Sequence, residues 1–155
     1  MDIITTADRS LLMSRIRGKD TKPELTVRRL AHALGFRFRL HRRDLPGAPD
    51  LVFPRLHKVI FVHGCFWHRH SECRLAYSPK SNVMFWQAKF NANVVRDTRA
   101  VEGLKALGWH VHVIWECEIS NVTDLSRRIS RFLTDADQSK HKQRADRRET
   151  RLGPP

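Results

Sequence analysis

The chain has 155 residues, a length that suits one domain of ordinary size and argues against two. Hydrophobic residues make up 41% and charged residues 29%, which supports a buried core and excludes wholesale disorder. Lys and Arg number 29 against 16 Asp and Glu, a formal charge of +13 that favours a polyanionic partner.

No run approaches the roughly 18 consecutive apolar residues of a membrane helix. The start, Met1-Asp2-Ile3-Ile4-Thr5, lacks the basic and apolar regions of a signal peptide. A cytoplasmic protein without a membrane partner is therefore expected. Residues 138–151 contribute a net +4, so the remainder of the chain is itself basic. Three Cys is an odd number, which argues against a disulfide framework, and the nine His direct attention to metal.

Asp20-Thr21-Lys22-Pro23-Glu24 opens a first helix, with Asp20 or Thr21 as cap and Pro23 and Glu24 in the first turn. Val27, Leu30, Ala31 and Leu34 make one apolar face, and Gly35 ends the helix. Phe36, Phe38 and Leu40 alternate with Arg37, Arg39 and His41, which predicts a half-buried strand with a basic outer face. Leu45-Pro46-Gly47-Ala48-Pro49 is a turn. Two short strands follow at 50–53 and 59–62, then a dense loop at 65–73.

Residues 82–107 have a helical pattern with room for one break, and Gly108 closes it. A Val-, Ile- and Trp-rich strand is predicted at 109–115. Thr123 or Asp124 caps a last helix running to Leu133. Helices and strands in this order predict an α/β fold, a central mixed sheet flanked by helices. The first three strands form a meander, and the fourth, after a helical crossover, pairs in parallel. One domain is expected over 1–134, followed by a basic, disordered tail at 135–155.

Four constellations carry chemistry. Asp50 follows Pro49 where a turn enters a strand, a place from which a carboxylate projects into a cleft and suits a divalent metal. An ordinary loop-end Asp capping local amides is the bland alternative. His63 ends the strand expected to pair with the one after Asp50, and His68 follows five residues later. Phosphodiester hydrolysis needs a metal, a base for water and help for the leaving oxygen, and imidazole can act as base near neutral pH.

Cys65-x4-His70-x2-Cys73, joined by the distant Cys117, is a four-ligand set that favours a closed, structural zinc site. The alternative is three buried thiols. His70-Ser71-Glu72 has the His-x-Glu form of a zinc deaminase, but the sequence has no accompanying Pro-Cys-x-x-Cys. Finally, Phe66 and Trp67 are adjacent among basic residues, as in proteins that stack on bases. Trp86, beside Phe85, is either core or a further stacking residue.

Several strings carry a specific resemblance over about residues 9–118. They are Asp20-Thr21-x-x-Glu24, Leu45-Pro46-Gly47-Ala48-Pro49-Asp50, Val59-Ile60-Phe61-Val62-His63-Gly64-Cys65-Phe66-Trp67-His68, Phe85-Trp86, Asn93-Val94-x-Arg96-Asp97, and Leu107-Gly108-Trp109 through Trp115-Glu116-Cys117. Together they resemble the very short patch repair (Vsr) DNA mismatch endonucleases, and His-Gly-Cys-Phe-Trp-His is the most specific string.

The resemblance implies a restriction-endonuclease-like fold. It implies a Mg2+-dependent nick of one strand of double-stranded DNA, 5′ to the T of a T:G mismatch left by deamination of 5-methylcytosine. It assigns Asp50 to Mg2+, with the Val62 backbone carbonyl beside it. His68 is implied as the base, His63 as a group assisting at the phosphate, and Glu24 as support for His68. Phe66, Trp67 and Trp86 would enter from the major groove and Met13, within a DNA-contacting segment at 1–19, from the minor groove. Zn2+ would sit on Cys65, His70, Cys73 and Cys117. A nucleoid-associated monomer is expected, with other repair proteins as candidate partners. The related nucleases usually place an acidic-x-Lys pair on the strand after Asp50. Here that strand offers Phe61, Val62 and His63, so the chemistry leans on histidine.

Two other functions compete. A non-catalytic zinc-stabilised DNA-binding module would need none of Asp50, His63 and His68. A restriction-type nuclease on matched duplex would gain little from wedging aromatics, since unstacking an intact step costs a few kcal/mol.

Overall fold

The computed structural model describes residues 5, 7–8 and 19–135. Met13, nearly all of the 1–19 segment and the tail beyond 135 lie outside the described residues.

Helix α1 spans Lys22–Ala33, and the Thr21 side chain caps it by accepting from the Glu24 N–H. Strand β1 is only Arg39–Leu40, shorter than the alternation predicts. Phe36 and Phe38 do face inward, but as loop residues packed edge-on to Phe53 at 6.4 and 5.9 Å between ring centres. Their burial comes from that aromatic contact rather than from strand pairing. Strands β2 (Leu51–Phe53) and β3 (Lys58–His63) follow, joined by a 3-10 turn at Pro54–Leu56.

The predicted loop after Gly64 begins instead as a single helical turn, α2 (Cys65–His68). Helix α3 (Val83–Ala106) runs unbroken. Gly108, at φ +86, then turns the chain into β4 (His110–Trp115) through a left-handed conformation that glycine adopts without strain. A second 3-10 segment, Glu116–Ser120, leads to α4 (Val122–Thr134). Its cap is Asn121, which accepts from the Asp124 N–H at 3.1 Å, not Thr123 or Asp124.

The sheet order is β1-β2-β3-β4, antiparallel for the first two pairs and parallel between β3 and β4. This is the meander plus parallel fourth strand that the element order predicts. Alternation along buried strands then sorts the core onto two faces. Leu51, Phe53, Ile60, Val62 and Ile114 meet α1 and α4 through Val27, Ala31, Leu125, Ile129 and Leu133. Val52, Val59 and Phe61 point the other way, against Ala100 and Leu104 of α3.

The result is three layers, helices, mixed sheet, helix, of the α/β class. Lys58 ties the layers at one end. Its buried ammonium donates to the carbonyls of Phe132 (2.6 Å) and Asp135 (2.8 Å), a cation at the C-terminal end of α4. No helix among the described residues is long and apolar enough to cross a membrane.

Candidate active site and metal centre

The face that carries Val59 and Phe61 also carries His63, by the same alternation, and α3 lies over it. Asp50 joins this face from the neighbouring strand. The loop before it packs so closely on α3 that a Cβ on Gly47 would stand 2.5 Å from Ala100 Cβ. Gly47, at φ +72, is therefore required both for the turn and for the close approach. Asp50 Oδ2 accepts the Val62 N–H at 2.6 Å. Burial raises the Asp50 carboxyl to about 6; the Val62 hydrogen bond opposes the rise and the neighbouring Glu24 charge adds to it.

His63 and His68 stack, with ring centres 3.9 Å apart and planes 5° from parallel. His68 Nδ1 lies 2.6 Å from Asp97 Oδ2 on α3. A carboxylate at that nitrogen favours the Nδ1–H tautomer and leaves Nε2 with its lone pair, the arrangement of an oriented base. His63 is buried, and burial, with the neighbouring His68, lowers its pKa to about 4. It is neutral at physiological pH, so it can act as a hydrogen-bond donor but not as a fixed positive charge.

Glu24 is where α1 should place it, but its partners differ from the expectation. Its carboxylate accepts from the Asp20 N–H (3.0 Å) and Arg28 (3.2 Å) and lies 3.7 Å from His41 Nε2. Asp97, not Glu24, holds His68, because α3 rather than α1 covers the histidine face of the sheet. Glu24, His41, Asp50, His63, His68 and Asp97 nonetheless line one open cleft of about 610 Å³.

A second cluster sits beside it. Ligand atoms of Cys65, His70, Cys73 and Cys117 all lie within 4.8 Å of one another. His70 Nδ1 is 3.7 Å from Cys65 Sγ and 3.4 Å from Cys117 Sγ. The edge of a tetrahedron drawn with Zn–S and Zn–N bond lengths is about 3.5 Å, so the donor set fits a four-coordinate metal. His70 is braced by stacking on Trp115, 4.3 Å and 9° away. The three thiols are free of disulfides, and together with His70 they form a site that could hold metal.

The predicted aromatics form one cluster. Phe66 and Trp67, both on α2, are half-buried, and Trp86 is buried. Phe66 packs on Trp86 (5.6 Å) and Phe90 (5.1 Å), and Trp67 on Trp86 (6.0 Å). Trp67 alone of the three also lines the cleft. Its backbone is pinned by the buried Asn93, whose amide donates to the Trp67 carbonyl at 3.0 Å.

Comparison with known proteins gives the family. The family described as DNA mismatch endonuclease Vsr matches residues 1–74. The type II nicking enzyme V.XorIIP of Xanthomonas oryzae pv. oryzae is 48% identical over 132 residues, 85% of this chain and 96% of that protein. The DNA mismatch endonuclease Vsr of Escherichia coli is 41% identical over 118 residues, 76% of this chain and 75% of its own. The type II nicking enzyme V.NmeAIP of Neisseria meningitidis serogroup A is 40% identical over 134 residues, 86% and 95%. The chain belongs to the Vsr family.

In this Vsr family member, Asp97 and Asn93 had no assigned role in the sequence reading, although a signal for them was present. Trp86, Phe90, Asn93, Asp97, Ala100 and Leu104 follow one another at spacings of three and four, the inward stripe of α3. Two polar residues inside such a stripe mark a place where the helix covers something polar. His41 gave no comparable signal. It stands in the left-handed region at φ +46, with Nδ1 3.9 Å from Asp50 Oδ1, a placement only the folded loop reveals.

Proposed function

We propose that this chain is a DNA endonuclease that nicks one strand of a duplex 5′ to the T of a T:G mismatch, using Mg2+. The observation that carries the reading is the shared cleft, where a carboxylate, a buried neutral imidazole and a carboxylate-oriented imidazole converge in a basic protein of the Vsr family. One carboxylate, a nearby backbone carbonyl and an open cleft suit Mg2+, which keeps several positions for water and phosphate. Asp50 and the Val62 carbonyl would hold it, and it would supply charge neutralisation at the scissile phosphate.

His68 Nε2 takes a proton from the attacking water, and Asp97 stabilises the imidazolium that results. His63 donates a hydrogen bond toward the phosphate. Glu24 contributes negative charge on the far side of Asp50 and, with Arg28, steadies His41. Cys65, His70, Cys73 and Cys117 hold structural Zn2+. The domain covers 1–134 with a restriction-endonuclease-like fold and acts as a cytoplasmic monomer, with Met13 and the 1–19 segment contributing to the minor groove. Phe66, Trp67 and Trp86 test how firmly a base step is stacked.

The test is nicking and binding of T:G and T:A duplexes in a panel of flanking sequences with Mg2+. Preferential nicking of T:G is expected. Stacking on an aromatic is worth roughly 1–3 kcal/mol per base, so Trp67→Ala should lose about ten-fold or more in T:G affinity while T:A affinity barely changes. A parallel loss on both duplexes would remove Trp67 from mismatch sensing. Equal cutting of matched duplex would favour a restriction-type nuclease.

Protons and Mg2+ compete for Asp50. Because its carboxyl is raised to about 6, Mg2+ affinity of the DNA-free protein should be flat above that pH. It should fall about ten-fold per pH unit below it, as the carboxyl protonates. Calorimetric titration of Mg2+ across that range checks this, and a pH-independent affinity would take Asp50 out of the ligand set.

A further inference from the structure

Helix α3 buries one stripe of residues, yet its first turn is apolar and exposed, with none of the described residues covering it. Val83, Met84 and Phe85 are 54%, 83% and 59% exposed. Three consecutive exposed apolar residues on a charged protein are a liability unless they meet a partner. They are continuous with the site already described. The Phe85 ring contacts Trp86 at 5.4 Å, Trp86 contacts Trp67 at 6.0 Å, and Trp67 lines the cleft. Val83 also borders a groove with Arg69, Trp86, Phe90 and Val94.

The charge around this turn indicates which partner it fits. Lys89 Nζ lies over both the Trp67 ring (5.4 Å) and the Phe85 ring (5.9 Å), joining the two in one cationic-aromatic surface. No acidic residue stands in the first turn of α3, so the turn carries no negative group that would repel a phosphate. An apolar protein partner would be met by a less basic rim. A duplex is met by this one: phosphates on the lysine side, and base faces or thymine methyl groups on the apolar side.

We infer that Val83, Met84 and Phe85 are an additional base-contacting edge for mismatched duplex DNA, extending the Trp67 side of the cleft by one helical turn. This rests on the proposed mismatch substrate. Phe85 offers a ring for an unstacked base, and Met84 an adaptable side chain that follows an irregular groove. The edge is already exposed in the free protein, so it needs no opening of the aromatic cluster to engage.

The experiment uses the full chain carrying Met84→Ser and Phe85→Ser together, with fluorescence anisotropy on T:G and T:A duplexes over a salt series. The double variant should lose about ten-fold or more in T:G affinity and little on T:A. The slope of log affinity against log salt should be unchanged, because no phosphate contact has been removed. Circular dichroism and the thermal midpoint should match wild type, since both side chains are exposed, and Met84→Leu with Phe85→Tyr should restore binding.

Wild-type T:G affinity in the serine variant overturns the inference alone. A loss shared by both duplexes with a shallower salt slope means phosphate contact, and also overturns it. So does sedimentation showing a wild-type dimer that the variant dissolves, because the turn then belongs to a second copy. A wild type that does not prefer T:G overturns the mismatch reading itself, and that arm is read first.

Discussion

Asp50→Asn should abolish nicking while making the protein no less stable at low pH and more stable at neutral pH. Among the described residues, the carboxylate is the one acidic group placed both on the histidine face of the sheet and against the backbone of Val62. Asparagine keeps an oxygen to accept the Val62 N–H, so the loop and strand geometry survive. What is lost is the charge. Lifting a carboxyl from 3.8 to about 6 means that the folded state disfavours its ionised form by roughly 3 kcal/mol.

The sign follows from linkage. Between those two pH values the folded protein binds more protons than the unfolded chain, so stability falls as pH rises through the window and stays lower above it. The neutral asparagine escapes that penalty. Its thermal midpoint should exceed wild type above about pH 6 and converge with it below about pH 4. Retained turnover would exclude Asp50 as the metal ligand. An unchanged midpoint difference across the pH range would mean that Asp50 is not desolvated as the structure has it.

Cys73→Ser should do the opposite, lowering stability before it alters chemistry. The four ligands come from α2, the loop after it and the 3-10 segment that follows β4. A metal there clamps β3 to β4 at the end of the sheet where His63 and His68 sit. Opening a closed four-ligand site forfeits binding free energy that is also folding free energy. A loss of about 3 kcal/mol would lower the thermal midpoint of a domain this size by roughly 10 °C. Metal analysis should give about one Zn2+ per wild-type chain and a marked decrease in the variant. Active wild-type protein with no zinc would overturn the four-ligand reading. A variant with normal zinc would remove Cys73 from the set.

The sequence alone carried the architecture because its signals were local. A continuous apolar run at 59–62, alternation at 109–115 and a long helical run between them are enough to imply a parallel β3–β4 pair with a helical crossover. Asp50, His63 and His68 were legible because each sits at a strand end or beside one, where chemistry-bearing residues stand out from apolar neighbours. The cluster of Cys65, His70, Cys73 and Cys117 was legible from residue type, although Cys117 is far away in sequence.

Local signals failed where burial is supplied by a distant partner. Phe36 and Phe38 alternate like a strand but are held by the Phe53 ring, so only Arg39–Leu40 pair with β2. Phe66 and Trp67 look exposed in a loop, but a helical turn packs Phe66 against Trp86 and Phe90 of α3.

The sharpest difference concerns which carboxylate meets His68. In the chain, Glu24 and Asp97 are separated from His68 by 44 and 29 residues, and both precede or follow it on amphipathic helices. Residue type and periodicity give them equal standing. The sheet decides between them: side chains alternate across it, His63 shares a face with Phe61, and that face is covered by α3. Which helix covers which face is a packing outcome: α3 is the crossover between the parallel strands β3 and β4, and the handedness of that crossover fixes the face it takes. The residue types were written in the sequence, but the pairing of His68 with Asp97 was decided only when the layers closed.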